Sequence, residues 1–248
     1  MTHLSRLLLV PLLLLALPAS PAFALSKADA EKIVAAPDRS AEDREKDERR
    51  KPALLLVFSG VEPGMKVADL GAGSGYTTEL LARAVGPEGS VIGQNTPRVI
   101  EKYVKESWPA RLAKPALANV VRADRSFEDP LPEGTSGLQV VTMVFVYHDT
   151  LIGDTDRAAM NRRIFDAMAP GGALIVVDHH AKSDAGPEVA ETLHRIPEAL
   201  LRSEIEAAGF QFEAEAGFMR NPEDPRTALF YEMDTPSDAF VHRYRKPR

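Results

Sequence analysis

The stretch Val67-Ala68-Asp69-Leu70-Gly71-Ala72-Gly73-Ser74-Gly75-Tyr76 is a short apolar run that ends in an acid and passes into three glycines at every second position. A helix-forming segment, 77–85, follows it. That order predicts a strand, a tight turn and a helix. Glycine reaches positive φ without steric cost and lets a ligand lie against bare main chain. The helix behind the turn offers free N–H groups and a partial positive charge.

An alternation of strands and helices extends outward from this turn. Glu62-Pro63-Gly64-Met65 is a turn, and the first strand is 66–70. Further strands are expected at 90–94, 119–123, 138–146 and 173–177. The run 138–146 is long and β-branched, as for a strand buried on both faces. Helices are expected from Pro97 to about Ser107, over 156–169 with a stop at Pro170-Gly171-Gly172, and over 196–208 with a close at Gly209. Two last strands, 210–219 and 240–244, have no helix between them, so they should pair as an antiparallel hairpin. The expected fold is α/β: a seven-stranded, mainly parallel, Rossmann-like sheet ending in that hairpin, in a three-layer αβα arrangement.

The first 24 residues read as a secretory signal peptide. His3 and Arg6 precede an almost wholly apolar run, Leu7 to Leu17, and Ala22-Phe23-Ala24 is a small-x-small cleavage site. The run is shorter than the ~20 residues a bilayer span needs. Cleavage after Ala24 would give a periplasmic or secreted protein starting at Leu25, with no stable membrane anchor. Residues 25–60 form a charged helical lead-in or lid. Ser40 is a helix cap with Asp43 at the third position, Glu42/Lys46 and Glu45/Arg49 are i,i+4 pairs, Pro52 opens a second helix and Gly60 ends it. Arg39, Asp43 or Arg50 are the residues by which a lid would reach a site. The main domain is 61–248.

The formal net charge is −6, and loss of Arg6 with the leader makes it one unit more negative. Such a chain has no basic footprint for nucleic acid. It has no cysteine, hence no thiolate metal site and no cysteine nucleophile.

The glycine spacing separates two ligand classes. A dinucleotide turn needs Gly-x-Gly-x-x-Gly; here Gly75 comes one position early and Tyr76 stands in the third slot. Asp69 with Gly71, Gly73 and Gly75 resembles motif I of class I S-adenosylmethionine (SAM)-dependent methyltransferases. The terminal hairpin fits as well. The lead-in Arg39…Asp43…Arg50-Lys51-Pro52, Gly93-Gln94-Asn95, Tyr147-His148-Asp149 and Leu193-His194-Arg195-Ile196 further resemble a group of exported bacterial methyltransferases. The resemblance implies SAM as cofactor and a small-molecule methyl acceptor. The alternative is a methyltransferase-like domain kept as a non-catalytic binding or sensing protein in the periplasm.

Ligands of open α/β sheets bind beyond the carboxyl ends of the strands. Those ends carry Asp69, Gln94-Asn95, Asp124, Tyr147-His148-Asp149 and Asp178-His179-His180. The resemblance assigns the cofactor ribose to an acid ending the second strand; Gln94-Asn95 replaces it here, and a neutral acceptor is weaker by ~1 kcal/mol. Asp124 matches the acid that similar proteins place near the adenine amino group. His148 stands where acceptor-side residues of similar enzymes stand, with Asp149 or Tyr147 to orient it, and is the expected general base. His194-Arg195 is expected at the rim of the pocket. No metal is expected, since adjacent histidines on a strand, His179 and His180, point apart.

Overall fold

The computed structural model describes residues 25–248 apart from Asp154. The signal peptide expected over 1–24 lies outside the described residues. Three helices come first among the described residues: α1 (Lys27–Val34), α2 (Ala41–Arg50) and α3 (Pro52–Ser59). The Ser40 hydroxyl accepts from the Asp43 N–H, as its capping position requires. Lys46 pairs with Glu42 along α2. Lys51 adopts φ 45° and turns the chain between α2 and α3, and Gly60 (φ 68°) ends α3.

The sheet follows. β1 (Lys66–Leu70), α4 (Tyr76–Val85) and β2 (Ser90–Asn95) lead to α5 (Pro97–Val99), a π turn (Ile100–Val104) and α6 (Ser107–Leu112). Then come β3 (Val120–Asp124), β4 (Leu138–Val144), α7 (Arg157–Ala167), β5 (Met168–His179), α8 (Val189–Leu193), α9 (Glu198–Ala207), β6 (Gln211–Ala216) and β7 (Ala239–Arg245). The spatial order is β3-β2-β1-β4-β5-β7-β6. Neighbours from β3 to β5 are parallel; β7 is antiparallel to both β5 and β6. The expected fold class holds, hairpin included.

Several boundaries shift by a few residues, and two of the differences have a clear local reason. The helix expected over 97–107 is broken. Pro109 has no N–H to continue an i→i−4 ladder, so it falls in the first turn of a new helix, α6. β5 begins at Met168 rather than 173, because Met168 pairs with Leu138 ahead of a register shift in the β4–β5 ladder. Pro170-Gly171-Gly172 lies inside this irregular strand start.

The sheet separates two hydrophobic layers. Leu70, Met143, Leu174 and Val176 face Met160 and Ile164 of α7 and Leu201 and Ile205 of α9. Val67, Val91, Ile175 and Val177 face Leu55, Leu56, Leu80 and Leu81 of α3 and α4. Alternate residues of β5 thus serve opposite layers, which is why its apolar run is continuous. Each large aliphatic side chain buried here is worth roughly 1.5–3 kcal/mol. The lead-in helices are part of this packing: Ala30, Leu55 and Leu56 are buried in the second layer. Arg243 of β7 also donates to the Phe58 carbonyl. No helix of the described residues is long and apolar enough to cross a membrane.

Candidate active site

The loops after β1, β2, β3 and β4 open on one edge of the sheet and surround a cleft of about 690 Å³. The glycine-rich turn forms its floor. Gly71, Gly73 and Gly75 have φ of 69°, 56° and 86°. A Cβ on Gly71 would collide with Val146, and one on Gly75 would lie 2.6 Å from Trp108. Gly73 differs: nothing lies within 4 Å of the position its Cβ would take. Its neighbours Gly71, Ala72 and Ser74 line the cleft with it, whereas Gly75 is the cap of α4. Two of the glycines let the protein pack, and the middle one leaves bare backbone facing the cleft.

Side chains fix the shape of this turn. Gln94 accepts from the Gly71 N–H and donates to the Arg125 carbonyl. Asn95 accepts from the Gly73 N–H and donates to the Gly73 carbonyl. Both side chains are fully buried, and of the two only Asn95 borders the cleft. Asp69 borders the cleft, and its carboxylate accepts from Thr78 at 2.6 Å and Thr142 at 2.8 Å. Burial pushes the Asp69 carboxyl up to about 6, against these hydrogen bonds and the charge of Arg50. Asp124 stands outside the cleft, half-exposed and paired with Arg122 at 2.7 Å. The wall after β3 is made instead by Ser126, Phe127 and Glu128.

Of the lead-in residues, only one of the three expected to reach a site does so. Arg39 is tied to Asp47, and Asp43 to Arg111. Arg50 borders the cleft, with its guanidinium 5.0 Å from the Tyr76 ring centroid and 5.3 Å from that of Phe145. It has no hydrogen bond or ion pair to another described residue, and burial holds its pKa below the usual arginine range. A half-buried guanidinium at a cleft, with Asp69 near it but no hydrogen-bonded carboxylate among the described residues, is suited to receive a ligand anion.

The far end of the cleft holds Asp149 and His194. The chain leaves β4 through Phe145 at φ 58° and enters a short 3-10 turn, His148–Leu151. His148 lies behind Asp149, buried. Its Nδ1 is 2.6 Å from the Asp178 carboxylate, which also accepts from the His148 N–H. Its Nε2 is 3.3 Å from Asp149. Burial alone would lower the His148 imidazole; the Asp178 charge, with Asp149 beside it, overcomes this and pushes it up to about 10. His148 thus carries its proton at neutral pH. Burial would raise Asp149, but His148 and then His194 hold it below the usual carboxylate range. His194 sits at φ 47°, 3.5 Å from the same Asp149 oxygen. Non-glycine residues at positive φ cost of order 1–3 kcal/mol and gather at functional sites. Phe145 and His194 both do so here.

Tyr147 is placed on the other side of its turn. Its hydroxyl accepts from Asn161 and donates to Glu204, and it is fully buried away from the cleft. His179 and His180 do point apart. His179 stacks between Phe145 and Phe230 and burial holds it neutral, well below the usual range; His180 meets Asp238. Arg195 is buried against Asp224, so only His194 of that pair reaches the rim.

Comparison with known proteins agrees with this geometry. Residues 61–213 match a family described as a methyltransferase domain. The chain belongs to this methyltransferase family. It is 31% identical over 203 residues to a trans-aconitate 2-methyltransferase from Methylobacterium radiotolerans, covering 82% of this chain and 68% of the relative. It is 32% identical over 143 residues to a ubiquinone/menaquinone biosynthesis C-methyltransferase UbiE from Teredinibacter turnerae, covering 57% of this chain and 53% of that protein. The match thus spans about half the length of the UbiE relative. A SAM-dependent methyltransferase from Aquifex aeolicus shares the fold, with a TM-score of 0.59 at 18% identity over 88% of this chain and 98% of the other. The [4+2]-cyclase SpnF superposes equally well, at 0.59 with 16% identity, over 84% of this chain and 81% of the other. S-adenosylmethionine is the cofactor of this family, and the cleft fits it: space over Gly73, whose backbone Asn95 holds in place, a carboxylate at Asp69 and a guanidinium at Arg50 with no hydrogen-bonded partner among the described residues.

Proposed function

We propose that this protein transfers a methyl group from SAM to a small-molecule acceptor bound beside Asp149 and His194. One observation carries the reading: a single cleft runs from the bare backbone of Gly73 to these two polar groups. Bound SAM supplies an electrophilic methyl on a sulfonium leaving group. The turn at Gly71 and Gly73, shaped by Asn95, would lie against its nucleoside portion, Asp69 would face its cationic side and Arg50 its carboxylate.

The protein's remaining task is alignment, and removal of a proton where the acceptor carries one. Asp149 and His194 stand at the cleft for this purpose. His148 is protonated and buried, so it acts through Asp149, as a positioning residue whose own orientation comes from Asp178. Tyr147 anchors the turn from beneath through Asn161 and Glu204.

The test has two readouts. Calorimetry should show SAM binding to the protein, and labelled SAM should be turned over with an acceptor found by screening quinols, catechols and carboxylic acids. Asp149→Asn should lower turnover by roughly 10²–10⁴-fold while leaving SAM affinity nearly unchanged. Binding of NADH in place of SAM would overturn the proposal.

A further inference from the structure

Three potential metal ligands meet at the acceptor end of the cleft. His148, Asp149 and His194 each offer one atom, all within 4.8 Å of one another. His148 Nε2 is 3.3 Å and His194 Nδ1 3.5 Å from the same carboxylate oxygen, Oδ1 of Asp149. Both separations exceed the ordinary N–H···O length of about 2.9–3.0 Å. They match the edge of a tetrahedron with metal–ligand bonds of about 2.0–2.1 Å, which is about 3.3–3.4 Å.

A second, independent feature lies behind this triad. The Nδ1 of His148 is bound at 2.6 Å to Asp178, which is fully buried. A carboxylate on the far ring nitrogen fixes the ring and turns Nε2 outward, the arrangement that supports ligating histidines. Here Nε2 is turned toward Asp149 and His194. The backbone cooperates, since His194 reaches the site from a left-handed φ of 47° just past α8.

The other cluster of potential ligands among the described residues, Glu198, Glu215 and His242, contrasts with this one. There Arg220 already bridges Glu198 and Glu215, at 2.7 and 2.6 Å. The cation of that cluster is an arginine. Around Asp149 the charge partners among the described residues are His148 and His194, with no lysine or arginine in contact.

We propose that His148 Nε2, an Asp149 carboxylate oxygen and His194 Nδ1 form a binding site for a divalent transition-metal ion of the zinc type. Two imidazoles and a carboxylate suit such ions, and a site with three protein ligands keeps a position open. Asp149 and His194 line the cleft, so the open position faces it. The ion takes the place of the proton on Nε2. Resting on the methyl-transfer reading above, the acceptor class becomes narrower: a molecule with a hydroxyl, carboxylate or similar oxygen donor, held and polarised by the ion.

The experiment uses untagged protein free of SAM. Zn²⁺ is titrated by calorimetry, and Co²⁺ is added as a spectroscopic probe. One Zn²⁺ per chain should bind, and Co²⁺ should show the intense visible bands of a four-coordinate ion. His194→Ala, at the half-buried rim, should weaken Zn²⁺ binding at least tenfold with the fold unchanged by circular dichroism. Asp178→Asn should weaken it roughly 10–100-fold. Glu198→Gln should leave it unchanged. Absence of stoichiometric binding, or binding that responds to Glu198→Gln and not to His194→Ala, overturns the site. SAM affinity is measured separately on the same samples. Loss of the metal result with SAM binding intact refutes the ion alone; absence of SAM binding refutes the cofactor reading whatever the metal does.

Discussion

At the scale of single residues, the three glycines of the turn should separate by experiment. Gly73→Val places a branched side chain at φ 56°, with its Cβ in open space over the cleft. The expected result is loss of SAM binding by calorimetry and a cost of about 1–2 kcal/mol from the left-handed backbone. Gly75→Ala meets Trp108 instead, so its effect falls on stability, about 1–3 kcal/mol from overpacking. The SAM titration distinguishes the two: the folded Gly73→Val protein should not bind, and the folded Gly75→Ala protein should. Asp69 gives a pH test. Its folded-state value, about 6, is above the ordinary 3.8, so the folded protein holds this proton more tightly than the unfolded chain. Its contribution is therefore present in full below pH ~4 and declines by about 3 kcal/mol as pH rises through ~6. Asp69→Asn should remove that decline from a denaturation series. SAM carries a positive sulfonium and should bind more tightly once Asp69 ionises, between about pH 5 and about pH 7; an unchanged affinity over that range in wild type would place the cation away from Asp69. Residue by residue, the sequence identified Asp69, the glycine turn, Asn95 and Asp149 as cleft groups. It did not reveal which way the turn after β4 points. Tyr147, His148 and Asp149 are adjacent, and only the 3-10 geometry decides that Asp149 faces out while Tyr147 faces Glu204. The wall after β3 was hidden for a similar reason: the chain runs past Asp124 at the strand end, and Ser126 to Glu128 line the cleft.

At the scale of elements, α2 brings two cations of the lead-in, Lys46 and Arg50, to the cleft. Its position depends on Asp47, which binds Arg39 through both oxygens and also accepts from the Tyr76 hydroxyl at 2.6 Å. Tyr76 is the first residue of α4, so the network joins the lead-in to the helix behind the glycine turn. Asp47→Ala should weaken SAM binding and increase hydrogen exchange across 41–59. Glu31→Ala, which breaks only an exposed pair with Lys27 on α1, should do neither, since such pairs are worth about 0–1 kcal/mol. Binding that withstands Asp47→Ala would show that α2 covers the site without organising it. The strands were legible because apolar runs and glycine or proline punctuation repeat along the chain. The broken helix around Trp108 and the early start of β5 were not. Both depend on partners distant in sequence: the indole fills space beside Gly75 and Gly93, and Met168 pairs with Leu138.

At the scale of the whole molecule, export remains a proposal drawn from the sequence of residues 1–24. N-terminal sequencing of native protein should return Leu25 from a non-cytoplasmic fraction; Met1 or Thr2 from cytosol would remove it. The sheet order adds a consequence for synthesis. β7 is the last strand in the chain, yet it lies between β5 and β6 and holds both. Until residues 239–245 emerge, β5 has an open edge and β6 has no neighbour. The two hydrophobic layers also lack Val241, Phe240 and Tyr244. A ribosome-bound chain is therefore kept from closing until its final strand is available. On the export proposal, that delay would work as a timer built into strand order. Arrested nascent chains ending before residue 239 should be cut readily by protease, and chains released in full should resist; early resistance would show that the sheet closes without its seventh strand.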